Sequence, residues 1–298
     1  MSATSLINAM TVDVEDYFQV SAFEPYIDRA SWDRLPLRVE RNTERILQLF
    51  DEHGVKATFF MLGWVAERCP QLLRRIVDGG HELASHGYSH IRVNSQSPEQ
   101  FREDIARTRK LLEDISGVRI IGYRAASYSI GKNNLWALEE LDHARYRYSS
   151  SIYPIAHDLY GIPGAPRFPF RPCAGDLVEV PISTIEVCGK RFPCGGGGYF
   201  RLFPYTLSRS AIHHVNLNEG CPCVFYFHPW EIDLAQPRPP GLNFKTRFRH
   251  YLNLGRMEER LRQLLRDFAW DRMDRVFLSA VEALPRVRIS SRRTALAQ

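Results

Sequence analysis

Short apolar runs alternate with amphipathic segments through the first half of this 298-residue chain. Strand-like runs cover 6–14, 57–62, 81–84 and 119–123, and segments with helical spacing of apolar residues begin near Val39, Pro70, Ser97 and Asn133. This alternation predicts parallel strands joined by crossover helices, a fold in which functional side chains collect at the carboxyl ends of the strands. We therefore expect the chemistry of this chain just after its predicted strands.

The composition excludes several classes of protein. Hydrophobic residues make up 44% and charged residues 24% of the chain, which is typical of a globular protein, and the length fits one large domain or two ordinary ones. The formal charge is 39 − 34 = +5, but four arginines lie in the acid-free end after residue 285. The body has no basic stripe interleaved with aromatic residues, so we expect no nucleic-acid partner. We expect one domain over 1–285, elaborated from about residue 150, and a basic, flexible tail over 286–298.

The first residues and the cysteines indicate the compartment. MSATSLINAM has neither a basic region nor an apolar region, and no run of the chain approaches 18 uninterrupted apolar residues. The six cysteines are scattered without a CxxC pair. We expect a cytoplasmic protein with reduced thiols and no transmembrane segment. Peripheral attachment at the inner membrane is the alternative, since the arginine-rich tail could contact anionic lipid. The sequence does not predict an oligomeric state.

Pairs of chemically capable residues follow the predicted strands. Asp13 and Glu15 end the first strand, where side chains two apart share a face, and they would suit a base and a metal ligand. His86 and His90 follow the third strand and would share one face of a helical turn, which suits a divalent ion. Alternatively, the acids are a solvated strand end or a helix cap, and the histidines are incidental.

Two further side chains lie at later strand ends. Arg124 could orient and ionise a carboxylate such as Asp13, or be an ordinary surface arginine. His228 closes the apolar strand at 223–227 and could act as a general acid, or be structural. Between these two residues lies a stretch rich in proline and glycine from about Ser149 to Tyr205, and stretches of this length are usually functional loops.

In their order along the chain, TVDVED, SHGYSH, RAASY and YFHPWE resemble the motifs of the NodB-type polysaccharide deacetylases, carbohydrate esterase family four. The longer strings VDVEDYF, GGGGYFRL and FYFHPWEID are similar to the branch associated with exosortase-linked exopolysaccharide gene clusters. The resemblance implies a distorted (β/α)7-type barrel. It also implies a metal-dependent hydrolase that removes acetyl groups, with N-acetyl groups as the expected target. The substrate would be a polysaccharide or oligosaccharide, or its lipid-linked precursor.

The resemblance also implies roles for individual residues. Asp13 matches the catalytic base, Arg124 the arginine that orients it, and His228 the general acid. His86 and His90 match the metal histidines; the ion is expected to be Zn²⁺, with Co²⁺ or Ni²⁺ as alternatives. For the oxyanion of the reaction, a backbone N–H near Ser127 or Tyr128 is expected.

Two positions depart from the family pattern. Val14 stands where the family has a metal-binding aspartate, so Glu15 is the expected ligand and Asp16 the alternative. Ser149 stands where an aspartate would support the arginine, which leaves the support of Arg124 open.

Substrate contacts are expected from Tyr128, Gly197, Tyr199, Arg201 and Trp230, since sugar sites combine aromatic rings, arginines and room for close backbone approach. The glycines could instead make a tight connection, and Trp230 could be core packing. Two other functions stay open: hydrolysis of a small amide on the same fold, and sugar binding without catalysis.

Overall fold

A parallel sheet built around the apolar run Ile7–Val14 forms the centre of the structure. The computed structural model describes residues 6–158, 160–172 and 174–289. Its strands are β1 (Ile7–Val14), β2 (Thr58–Met61), β3 (Glu82–Ser85), β4 (Gly122–Tyr123), β5 (Tyr148–Ser149), β6 (Val178–Glu179), β7 (Thr184–Val187), β8 (Lys190–Pro193), β9 (Val224–Phe227) and β10 (Ala269–Asp271). Its α-helices are α1 (Val39–Glu52), α2 (Gly63–Arg68), α3 (Pro70–Asp78), α4 (Pro98–Ser116), α5 (Trp136–His143), α6 (Gly197–Leu202), α7 (Tyr205–Leu217), α8 (Phe244–Tyr251), α9 (Leu254–Asp267) and α10 (Met273–Phe277).

The sheet has the topology of a distorted barrel. Strand β1 pairs in parallel with β2, β9 and β10, and the sheet continues in parallel through β3, β4, β5 and β6. Strands β7 and β8 form a separate antiparallel hairpin. The predicted distorted (β/α)7-type barrel is confirmed. Because β6, β9 and β10 come from the second half of the chain, both halves contribute to one sheet and to the site at its edge.

Helix α4 shows how local sequence sets the crossover elements. The Ser97 hydroxyl accepts from the Gln100 N–H and the Gln100 side chain accepts from the Ser97 N–H, so both hydrogen bonds of the predicted capping box form. Phe101, Ile105 and Leu112 are buried on one face. Gly117 ends the helix at φ 72°, a left-handed conformation that glycine adopts without steric cost.

Several elements of the second half were not predicted. The hairpin β7–β8 and helix α6 lie within the stretch expected to be irregular. The helix predicted near 251–268 corresponds to α9, whereas α8, which ends at Tyr251 before the chain turns at Asn253 with a φ of 53°, was not predicted. None of the helices in the described ranges has the length and apolar character needed to cross a bilayer.

The start of the predicted tail is paired with the body of the protein. The N–H of Arg171 donates to the Pro285 carbonyl, and the N–H of Val287 donates to the Arg171 carbonyl. The Arg286 guanidinium also donates to the carbonyls of Ala174 and Gly175. Residues 290–298, the rest of the predicted tail, lie outside the described residues.

Candidate active site

A cavity of about 190 Å³ opens where β1, β3 and β9 end and β4 turns into its loop. Its lining brings together residues up to 217 positions apart in the sequence, among them Asp13, Glu15, His86, His90, Tyr128, His228 and Trp230. The carboxyl ends of parallel strands meet at one edge of a sheet, which is why these motifs converge.

Glu15, His86 and His90 form a group that could hold a metal ion. One ligand atom from each lies within 4.8 Å of the other two, and all three side chains are buried. His86 Nδ1 lies 2.8 Å from the Arg124 carbonyl, so it donates there and leaves Nε2 as the lone-pair atom. Among the described residues, Glu15 Oε2 and His90 Nδ1 have no hydrogen-bond partner despite their burial. Glu15 Oε2 lies 3.2 Å from His90 Nε2, so a buried carboxylate and two buried imidazoles are brought together in a set that fits a divalent ion such as zinc.

The two histidines do not share a helical turn, contrary to the sequence-based expectation. Residues 86–90 form an irregular loop, in which Gly87 has a φ of 75° and His90 a φ of 54°. The carbonyls of Gly87 and Tyr88 accept from the N-terminal N–H groups of α2, and the N–H of Tyr88 donates to the Asp104 carboxylate. Tertiary contacts therefore bring the histidine rings to 5.5 Å from each other, centroid to centroid.

Asp16, the alternative ligand, has a different environment. Its carboxylate accepts from the N–H groups of Tyr17, Arg38 and Val39. The first of these bonds caps the 3-10 helix Tyr17–Gln19, and the other two hold the start of α1 against the end of β1. It is not a member of the potential metal group. Burial raises the pKa of Asp16, although these backbone N–H groups oppose the rise.

Asp13 is paired with the buried Arg124 at the edge of the cavity. Arg124 Nη1 donates to Asp13 Oδ1 at 2.6 Å and to Thr11 Oγ1 at 2.8 Å. The sequence left the support of Arg124 open, and Ser150 supplies contacts: its hydroxyl accepts from Nη2 at 3.0 Å and its carbonyl from Nε at 3.2 Å. The other oxygen of Asp13 faces the cavity, 3.5 Å from the Tyr128 hydroxyl and 4.0 Å from His228 Nε2.

His228 is held from behind by a carboxylate. Its Nδ1 lies 2.8 Å from Glu231 Oε1, and Glu231 Oε2 accepts from Arg201 Nε at 2.7 Å. On the cavity side, His228 Nε2 lies 2.9 Å from Glu15 Oε1. Burial alone would lower the pKa of His228, but the Glu15 and Glu231 carboxylates outweigh it and raise the pKa to about 10.

The five expected substrate contacts separate into three groups. Tyr128 and Trp230 line the cavity, and the Trp230 ring stacks on His228 at 5.1 Å. Tyr199 lines an adjoining groove. Arg201 and Gly197 face away from both, which differs from the expectation: Arg201 is 2% exposed and bonded to Glu231, and a Cβ on Gly197 would overlap the Glu231 carboxylate. The Arg201 guanidinium also donates to the carbonyls of Arg249, His250 and Leu252, so its hydrogen bonds lie within the protein.

Sequence reasoning missed Glu231, Tyr226 and Tyr160. Tyr226 lies two residues before His228 on β9, so strand alternation could have placed both on one face. Glu231 lies in the 3-10 helix Pro229–Ile232, three residues after His228, which caps that helix, and this spacing permits contact between the two side chains. Tyr160 lies in irregular chain, and no sequence pattern identified it.

Two family models match this chain in succession. Residues 30–146 match the model described as polysaccharide deacetylase, and residues 150–278 match the domain of unknown function DUF3473. His86, His90 and Arg124 lie in the first match and His228 lies in the second, whereas Asp13 and Glu15 precede both. The site is therefore assembled from three parts of the chain.

Curated relatives agree with the first match, and a solved structure shares the fold. The chain is 35% identical over 99 residues to a peptidoglycan-N-acetylglucosamine deacetylase of Bacillus cereus, covering 33% of this chain and 36% of the relative. It is 33% identical over 81 residues to a peptidoglycan deacetylase of Helicobacter pylori, covering 27% of this chain and 28% of that one. The chain thus spans about a third of the length of these relatives. A putative polysaccharide deacetylase from Mycobacterium smegmatis has the same fold, with a TM-score of 0.62 at 20% identity over 97% of this chain and 96% of that one.

Proposed function

Since this chain carries a polysaccharide deacetylase domain of the NodB type joined to a DUF3473 segment, we propose that it is a metal-dependent hydrolase that removes acetyl groups from a sugar polymer. The substrate class is an N-acetylated polysaccharide or its precursor in exopolysaccharide biosynthesis. The observation that carries this proposal is the convergence of an Arg-paired aspartate, a buried carboxylate with two imidazoles, and a Glu-paired imidazole on one cavity.

Glu15, His86 and His90 would hold the divalent ion, with zinc the expected metal and cobalt or nickel the alternatives. When bound, such an ion supplies Lewis-acid chemistry, acidifying water and polarising a carbonyl oxygen. Neighbouring groups hold the metal-binding side chains in position. The Arg124 carbonyl orients His86 through Nδ1, and the helix α2 contacts hold the loop that carries His90.

Asp13 is the general base in this proposal. Its Oδ1 is bound by Arg124, which favours the ionised carboxylate and fixes its plane. Its Oδ2 faces the cavity, where it would take a proton from the attacking water. Burial of the pair keeps competing water away, and the Thr11 and Ser150 contacts hold the guanidinium in place.

The strained turn after β4 supplies the remaining polar groups. Ser127 and Tyr128 both have left-handed backbone, with φ of 53° and 51°, at a cost of about 1 to 3 kcal/mol each. The Tyr128 N–H donates to the Ala125 carbonyl, so the Ser127 N–H is our candidate for the oxyanion. His228 would then protonate the leaving amine, with Nδ1 held by Glu231 and Nε2 directed at the cavity.

Acetate release from penta-N-acetylchitopentaose tests the proposal. We expect the purified protein to release acetate and free amine in equal amounts, to stop when EDTA removes the metal, and to recover when Zn²⁺ is added. Hydrolysis of small amides without acetate release from the oligosaccharide would favour the amide hydrolase instead. Sugar binding without hydrolysis, in protein that retains no divalent ion, would favour the binding module.

A further inference from the structure

An apolar groove of about 590 Å³ continues from the catalytic cavity along the surface. The cavity and the groove share Ala22, Tyr160 and Tyr226. The far part of the groove is lined by side chains of α6 and α8 and the turn after α8: Tyr199, Leu202, Phe244, Lys245, Phe248, Arg249 and Leu252. Its volume lies within the range of small-molecule sites, so one ligand could occupy both spaces.

The groove exposes large apolar side chains that a folded chain usually covers. Phe244 is 81% exposed, Phe248 46% and Leu202 44%. The two phenylalanines are four residues apart on α8 and stack with their ring centroids 6.1 Å apart. A contiguous exposed apolar surface of this kind marks a binding site, and its burial would contribute about 25 cal/mol for each Å² removed from water.

Positive charge borders the apolar wall. Helix α8 carries Lys245, Arg247 and Arg249 and has no acidic residue. Asp158 is paired with Lys245 at 2.9 Å and with Arg249 at 3.6 Å, so one carboxylate faces two groove-lining cations. Both cations are at least half exposed and remain accessible to a ligand. The groove is therefore complementary to a ligand that joins an apolar part to an anionic group.

We propose that this groove binds the hydrocarbon chain of an anionic lipid that carries the sugar, with the lipid phosphate near Lys245 and Arg249. This inference rests on the proposed function, because it takes the sugar to lie in the catalytic cavity next to the groove. The hydrocarbon is assigned to the part lined by Leu202, Phe244, Phe248 and Leu252, whose side chains offer no hydrogen-bonding group. Tyr160 and Tyr226, which line both the cavity and the groove, are left to contact the sugar. The substrate class is thus a glycolipid phosphate.

Calorimetric titration of the full protein with monomeric dodecyl phosphate tests this proposal. We expect saturable one-to-one binding, no detectable binding of inorganic phosphate, and at least tenfold weaker binding of dodecyltrimethylammonium, whose charge is reversed.

Phe248→Ser should weaken dodecyl phosphate binding about fivefold to tenfold, because half-buried aromatic area is lost. Phe192→Ser is the matched control: Phe192 is also 46% exposed but lies on β8, outside the groove, and its substitution should leave binding unchanged. Lys245→Gln should weaken binding, whereas Lys190→Gln on β8 should not.

The outcomes separate this inference from the proposed function. Absence of dodecyl phosphate binding, or equal effects of Phe248→Ser and Phe192→Ser, would overturn the groove proposal even if acetate release is intact. Loss of chitopentaose affinity in Phe248→Ser, without loss of dodecyl phosphate affinity, would overturn it in favour of a glycan. Binding only to phosphatidylglycerol vesicles, and not to the monomeric amphiphile, would overturn it in favour of a membrane surface. Dodecyl phosphate binding in a protein that releases no acetate would retain the groove and reject the deacetylase.

Discussion

Glu231 holds the imidazole of His228 from the side opposite the cavity, with 2.8 Å between Glu231 Oε1 and His228 Nδ1. The same oxygen accepts from the backbone N–H of His228 at 3.0 Å, so ring and backbone are fixed together. Glu231 is fully buried and is bound in turn by Arg201. Glu231 is thus a positioning residue that acts through His228.

The first prediction concerns Glu231→Gln. We expect kcat for acetate release to fall about 10- to 100-fold with little change in KM, because the imidazole loses a charged partner while the cavity lining stays the same. Steady-state kinetics measure both constants. Glu140→Gln is the matched control, since Glu140 pairs with Arg102 at the surface, and its kinetics should equal those of the parent. An unchanged kcat in Glu231→Gln would show that the contact is only structural.

The second prediction concerns the backbone next to Glu231. Gly197→Ala places a Cβ against the Glu231 carboxylate, so the carboxylate or the backbone of α6 has to shift and the contact with His228 is disturbed. We expect kcat to fall in the same direction as in Glu231→Gln, together with a loss of stability of about 1 to 3 kcal/mol from overpacking. Kinetics and denaturant unfolding measure the two effects. Gly164→Ala, where a Cβ would have no neighbour within 4 Å, should change neither.

The third prediction separates the base from the metal ligand. Asp13→Asn should reduce acetate release about 10²- to 10⁴-fold while the bound metal stays, because Asp13 lies outside the ligand group. Glu15→Gln should lose both metal and activity. Elemental analysis of the purified variants measures the metal content. Metal loss in Asp13→Asn, or full metal content in Glu15→Gln, would reverse the assigned roles.

The fourth prediction concerns Asp16. Asp16→Ala removes the acceptor for three backbone N–H groups and should lower the free energy of unfolding by about 1 to 3 kcal/mol. The metal content should be unchanged, because Asp16 does not join Glu15, His86 and His90. Denaturant unfolding and elemental analysis measure these quantities. A metal-free but equally stable variant would make Asp16 the ligand.

The fifth prediction concerns pH and His81, which precedes β3, whereas His86 of the metal group follows the other end of that strand. Burial lowers the pKa of His81 to about 4, and its Nδ1 accepts from the Ala57 N–H, which requires the neutral ring. In the unfolded chain, His81 binds a proton below its usual pKa of 6.5, whereas in the folded protein it stays neutral down to about pH 4. The stabilisation that comes from the neutral, buried His81 is therefore fully present above pH 6.5 and is lost as the pH falls towards 4. Between pH 7 and pH 5 the loss is about 2 kcal/mol.

Denaturant unfolding of chelator-treated protein measures this loss without a contribution from metal release. His81→Asn should lose about 2 kcal/mol less than the parent over the same pH range. His143→Gln, at an exposed position on α5, should follow the parent. Parallel pH curves for the parent and His81→Asn would contradict the prediction.

The sequence by itself predicted the sheet and where its chemistry lies. The apolar runs at β1, β2, β3 and β9 and the capping box of α4 are local signals, and each corresponds to an element within a few residues. Because parallel strands end at one edge, the order of the motifs was enough to expect Asp13, His86, Arg124 and His228 near one another. The family resemblance then suggested their roles.

Only the tertiary structure decided what surrounds those residues. Whether Asp16 caps a helix or ligates a metal depends on Arg38 and Val39, which no periodicity relates to it. Arg201 looked like a substrate contact because exposure cannot be read from a loop sequence, and the fold buries it against Glu231 instead. The groove beside the cavity likewise exists only because side chains of α6 and α8, which are distant in sequence, line one surface. Local sequence sets the elements, but the pairing of buried charges is set by contacts between distant segments.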